Sequence, residues 1–198
     1  MADRVATIKG TFLIPTVSKN NRLYTTENIG KAVERMNVRL QSSQELPLTM
    51  FPSHGIADAD NALLTIGRVT KVAQEADGSA TFEADIADTN AGRDMAALVT
   101  PENPYIKGLS IRGQWMSQPV TIEKEGTTVT TADDLDVHGI DWTARPGVEG
   151  AQITQAALAE SVGAENAIFE SADATFFFDE TAATAAPDFA EAIEQLQA

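Results

Sequence analysis

The charge of this chain breaks at one place, and the break limits how much of it can form a core. All 14 Lys and Arg lie at or before Arg145, while the 48 residues from Ala151 onward carry nine carboxylates and no basic side chain. The first 150 residues hold 14 basic against 20 acidic residues, net −6, and the remainder supplies −9 of the total −15. From about Gly163 the composition turns to Ala, Glu, Asp and Thr. Such a stretch buries too little apolar surface to offset the entropy of ordering it. The expected organisation is a folded domain over residues 1–162 and an acidic, partly disordered, flexible tail over 163–198. The apolar island Thr175-Phe-Phe-Phe178 and the spacing of Phe189, Ile193 and Leu196 suit a short segment that orders on a partner.

The same balance argues against duplex nucleic acid as a direct partner, because phosphate binding needs clustered Lys and Arg. Protein is the expected partner. With no cysteine and only His54 and His138, a disulfide framework, a thiol nucleophile and a thiolate or histidine-rich metal site are all disfavoured. No apolar run nears the ~18 residues of a membrane span, so no membrane role is expected. The polar start Met-Ala-Asp-Arg leads straight into a strand pattern and lacks the features of a secretory signal, which points to an intracellular protein.

The elements follow from periodicity and punctuation. Residues 4–17 are β-branched and aromatic-rich, a first strand stopped near Pro15. After the polar loop Ser18–Arg22, Thr25 or Thr26 caps a helix whose Ile29, Val33, Met36 and Leu40 form one apolar stripe. Residues 46–51 read as a short strand delivering the chain to Pro52-Ser-His-Gly55, and Asp58 to Asn61 as a surface loop. Residues 63–72 and 80–86 form a hairpin across Asp77-Gly78. Asp88 or Thr89 caps a second helix running to about Val99. A strand around Ser110, a hairpin at 120–123 and 127–131, and a strand over 135–143 come next. A short helix is expected from Gln152 to about Ser161. The fold class is α+β, mainly β.

The chemistry-bearing stretch is Tyr105-Ile-Lys-Gly-Leu-Ser-Ile-Arg-Gly-Gln-Trp115. In a period-2 strand Ser110 and Arg112 share one face and Leu109 and Ile111 the other. Gly108 and Gly113 leave room for another backbone or a ligand. Ser110 is either an ordinary strand serine or a nucleophile. A serine nucleophile needs a base in hydrogen-bond reach and a group that orients the base. His54, in its Pro-Ser-His-Gly turn, is either a surface histidine or that base. His138 lies on a strand with Asp136 on its own face and, for a regular pleat, Asp141 on the opposite one. An oxyanion needs donors held by the fold, and Arg112 and Arg145 are the available cations. There is no P-loop, no Gly-x-Ser-x-Gly elbow of an α/β-hydrolase esterase, and the pairs Asp58/Asp60 and Asp133/Asp134 read as turn residues.

Taken in order, several blocks resemble the prohead, or capsid maturation, serine proteases of tailed phages, which share a fold with the herpesvirus assemblin proteases. They are Asn-Asn-Arg-Leu-Tyr24 before a helix, His54 in a short turn, a strand at Leu64 to Val69 and an Asp-Gly hairpin. Gly-Leu-Ser-Ile111 and the block from Gly139 to Ala151 complete the set, which covers roughly residues 5 to 155. The resemblance implies a small closed or partly closed β-barrel flanked by helices, herpesvirus-protease-like, with Ser110 as nucleophile and His54 as general base and no metal or cofactor. Gly139 departs from the acidic residue usual near the final strand of the phage enzymes, which leaves Asp141 or His138 as third member. Arg145 resembles the arginine that supports the oxyanion site in the assemblins, with Arg112 as a further support. Implied partners are the major capsid protein and the scaffolding protein, with homo-oligomers open. The implied location is the host cytoplasm, inside the assembling procapsid. The tail resembles the start of a scaffolding extension, and the chain a truncated or self-processed form. The competing reading is a catalytically silent β-barrel scaffold or capsid-assembly module.

Overall fold

The computed structural model describes residues 4–55, 61–100 and 102–159. Strand β1, Arg4–Leu13, alternates as the sequence demands, burying Ala6, Ile8, Gly10 and Phe12 and ending before Pro15. The two-residue strands β2, Thr16–Val17, and β3, Leu23–Tyr24, pair across the polar loop, where Asn21 adopts φ 55°. Helix α1 spans Thr26–Gln41 and is capped by Thr25, not Thr26. Thr25 Oγ1 accepts from the Asn28 N–H at 3.2 Å, and Asn28 Oδ1 accepts from the Thr25 N–H at 3.0 Å. The predicted stripe buries Ile29, Val33 and Met36, while Leu40 is only partly covered.

Strand β4 is short, Thr49–Met50. Residues Ala62–Leu64 form a 3-10 turn rather than the start of a strand. Strands β5, Gly67–Gln74, and β6, Ala80–Ala87, make the expected hairpin, with Gly78 at φ 83° in its turn. Helix α2, Asn90–Val99, takes Thr89 as its cap. Then follow β7, Leu109–Trp115; β8, Val120–Lys124; β9, Thr127–Thr131; β10, Leu135–Trp142; and β11, Gln152–Leu158.

Residues 152–158 therefore correct the expectation of a helix. Gln, Ala and Leu favour helix locally, but β1 offers a ten-residue edge of unpaired backbone groups beside them. Pairing from Ala6↔Leu158 to Thr11↔Gln152 satisfies that edge and buries Ile153. Tertiary hydrogen bonding outweighs local propensity.

Seven strands form one curled sheet in the order β11-β1-β6-β5-β4-β10-β7, antiparallel throughout except where β4 runs parallel to β10. Its two edges meet at one end. The Leu109 N–H donates to the Ala151 carbonyl at 3.0 Å and the Ile153 N–H to the Lys107 carbonyl at 2.8 Å. The result is a mainly β, partly closed barrel filled by Ile8, Phe12, Leu13, Leu109, Ile140 and Trp142, with α1 against β5 and β10. Each such large apolar side chain contributes about 1.5–3 kcal/mol on burial. Among the described residues no helix is long and apolar enough to cross a membrane. The acidic segment 163–198 and the loop at Asp58 and Asp60 lie outside the described residues.

Candidate active site

Strand β7 presents Ser110 directly opposite Asp141 of β10. Side chains opposed across an antiparallel pair share a face, so the serine and the acid stand side by side. Asp141 is fully buried and accepts hydrogen bonds from two donors held by the fold. Its Oδ1 accepts the Phe51 N–H at 3.2 Å, and its Oδ2 accepts Arg112 Nε at 2.7 Å. His54 Nδ1 lies 3.3 Å from the same Oδ2. The chain after β4 is tied to β10 a second time, by the Trp142 N–H on the Phe51 carbonyl at 3.1 Å. Those ties bring His54, three residues beyond Phe51, over the acid. Burial pushes the Asp141 carboxyl above the ordinary range, and Arg112, the Phe51 N–H and His54 act in the opposite direction.

His54 is half-exposed and, with Ser110, lines a cleft of ≈ 490 Å³. Among the described residues no hydrogen bond joins the two side chains; in unliganded sites such bonds are often long or misaligned. One wall of the cleft is β7, including Gln114 and Trp115. The other comes from the loops around Lys19 and Arg145, joined by the Lys19 N–H on the Gly147 carbonyl at 2.8 Å. Tyr24 stacks on Trp115 with centroids 5.7 Å apart, and burial raises its phenol pKa, so it serves as a neutral wall.

The candidate supports separate clearly. Arg145 is exposed and faces the cleft. Arg112 is engaged with the acid: Nε is on Asp141, Nη2 donates to the Thr49 carbonyl at 2.9 Å, and the guanidinium lies 4.6 Å from the Phe51 ring centroid. His138 is directed elsewhere, with Nδ1 3.4 Å from Asp136 Oδ2, an oxygen that Arg39 of α1 also binds at 2.7 Å. The pleat of β10 is not regular. A register shift between Val137 and Gly139 makes His138 an extra residue, so Asp136 opposes Gln114 and Asp141 opposes Ser110. Asp136 and Asp141 therefore share a face, against the expectation from strict alternation.

Of the two occupants open to the space at Gly108 and Gly113, another backbone or a ligand, it is backbone that lies there. A Cβ at Gly108 would overlap the Thr143 carbonyl, and one at Gly113 the Asp136 carbonyl. The space is taken by the protein's own next strand. Thr49 and Phe51 were invisible as site residues in the sequence, because they contribute backbone groups and a ring face rather than a chemistry-bearing side chain.

This mainly β barrel, with a buried Asp141 behind the cleft-lining His54, has the fold of a phage capsid assembly protease. One solved structure that it matches is that of the bacteriophage T4 capsid assembly protease, gp21, at TM-score 0.55 and 18% identity, covering 71% of this chain and 82% of that one. At that identity the likeness is one of fold. No family model and no curated protein matches the chain.

Proposed function

We propose that this chain is a serine endopeptidase of phage prohead maturation, cleaving scaffold and capsid-protein segments and its own acidic tail. The observation that carries this reading is the buried Asp141 behind His54, in a cleft that also holds Ser110, on the fold of a capsid assembly protease. A buried carboxylate held by Arg112 and the Phe51 N–H and set against a half-exposed histidine is the arrangement that orients a general base.

In this reading Asp141 holds Nδ1–H of His54, which leaves Nε2 as the base. Nε2 takes the Ser110 proton as Oγ attacks the peptide carbonyl, then returns it to the leaving amine. Arg145, exposed in the cleft, and backbone donors nearby stabilise the oxyanion. Arg112 supports the acid instead. The herpesvirus assemblin likeness, the protease domain over residues 1–162, the scaffold-like tail and action inside the procapsid on major capsid and scaffolding proteins all belong to the same proposal.

The test is co-expression of wild type, Ser110→Ala and His54→Ala with a scaffold substrate, followed by intact-mass measurement of every chain. Both variants stop processing. Normal processing by both would leave the alternative, a catalytically silent barrel that serves as a scaffold or capsid-assembly module.

A further inference from the structure

Resting on the serine–histidine reading, we propose that Arg112 is a positioning residue whose guanidinium, seated in the gap left by Gly139, keeps Asp141 ionised and aimed at His54. The seat is built from three sides. Nη2 donates to the Thr49 carbonyl at 2.9 Å and to Thr49 Oγ1 at 3.2 Å. The Phe51 ring covers one face of the guanidinium. At Gly139 any Cβ would overlap Nη2 and come within 2.6 Å of the Thr49 carbonyl, so a side chain at 139 and the arginine exclude one another.

The reason for a cation here is the state of the acid. Asp141 is 0% exposed, and a carboxylate without water takes up a proton unless another charge faces it. Among the described residues only two charged or titratable groups face it, Arg112 from β7 and His54 from the segment after β4. His54 is neutral while it serves as a base, so the constant counter-charge is Arg112. A neutral Asp141 could not stabilise the imidazolium formed when His54 takes the serine proton. Both donors share Oδ2, Arg112 at 2.7 Å and His54 at 3.3 Å, so the arginine also fixes which oxygen the histidine meets. Glycine at 139 and arginine at 112 form one functional unit.

The test needs no known substrate. A fluorophosphonate probe forms a bond from Ser110 Oγ to phosphorus as the P–F bond breaks; fluoride departs and the serine proton passes to His54. Labelling rates would be measured across pH for the full chain, Arg112→Ala, Arg112→Lys and Gly139→Ala, with near-UV circular dichroism confirming the fold. Arg112→Ala is expected to label up to about tenfold more slowly near pH 6 but within about threefold near pH 9, its acid limb moved up by about one unit. Added guanidinium ion restores part of the loss. Gly139→Ala shifts the limb the same way with the arginine still present, and Arg112→Lys lies between. An unchanged acid limb in Arg112→Lys and Gly139→Ala overturns the proposal, even where Arg112→Ala fails to fold. Wild-type labelling in Ser110→Ala would instead overturn the serine reading beneath it.

Discussion

Asp141 joins the two halves of the candidate site, because its carboxylate meets His54 from one side while its strand position faces Ser110 on the other. Replacing it by Ala leaves His54 with no partner to hold its tautomer and is expected to slow probe labelling by on the order of 10³–10⁴-fold. His138→Ala, whose ring lies on Asp136, leaves the rate within about twofold. The raised pKa of Asp141 has a consequence for stability. The folded state holds this proton more tightly than the unfolded state, so the stability it confers is complete below the ordinary value of 3.8 and is lost as pH rises through the raised one. Denaturation midpoints measured across the acid range should show that decline, and Asp141→Asn should remove it. At this scale Ser110 and His54 were legible in the sequence as candidates, because few residue types can do the chemistry and the chain holds only two histidines, while Asp141 was legible only as an alternative to His138. Arg112 was legible as a cation on the serine's face but not as the acid's partner.

At the level of elements, local signals were reliable where the chain itself supplies the hydrogen bonds. Helix α1 begins where Thr25 and Asn28 cap one another, and Asn28 reaches further, donating to the Ala132 carbonyl at 3.1 Å in the connection before β10. Asn28→Ala removes a reciprocal cap and strands a buried acceptor. Its expected effect is a loss of about 2–3 kcal/mol in urea denaturation, with an unchanged m-value. Thr25→Ala, which loses only the cap, should lose about 1 kcal/mol. Where the partner is distant in sequence the signals failed. Strand β11 was read as helix, since nothing in Gln152 to Leu158 announces the open edge of β1. The extra residue at His138 likewise has no local marker, although it decides which face Asp136 takes.

Over the whole molecule, closure of the sheet links the candidate site to its far edge. Leu109, one residue before Ser110, donates its N–H to the Ala151 carbonyl, and the Lys107 carbonyl, three residues before Ser110, accepts from Ile153 at the head of β11. The last described contact of that strand is the Ala159 N–H on the Val5 carbonyl at 2.8 Å. A chain ending at Ala159 retains β11 and should label measurably faster than one that lacks it. A chain ending at Ala151 lacks β11, exposes the edge of β1 and should aggregate on light-scattering measurement while losing labelling. Equal behaviour of the two truncations would show that closure through β11 does not support Ser110.

The sequence by itself determined the residue types able to act, the alternation of β1 and both helix starts to within one residue, because capping and period-2 burial are settled within a few residues of chain. Only the tertiary structure decided that Asp141 and not His138 stands behind His54, that Arg112 fills the space at Gly139, and that the chain after Val148 returns as a strand. Each of those depends on backbone groups brought together from segments tens of residues apart. Their hydrogen bonds and overlaps exist only once the barrel has curled.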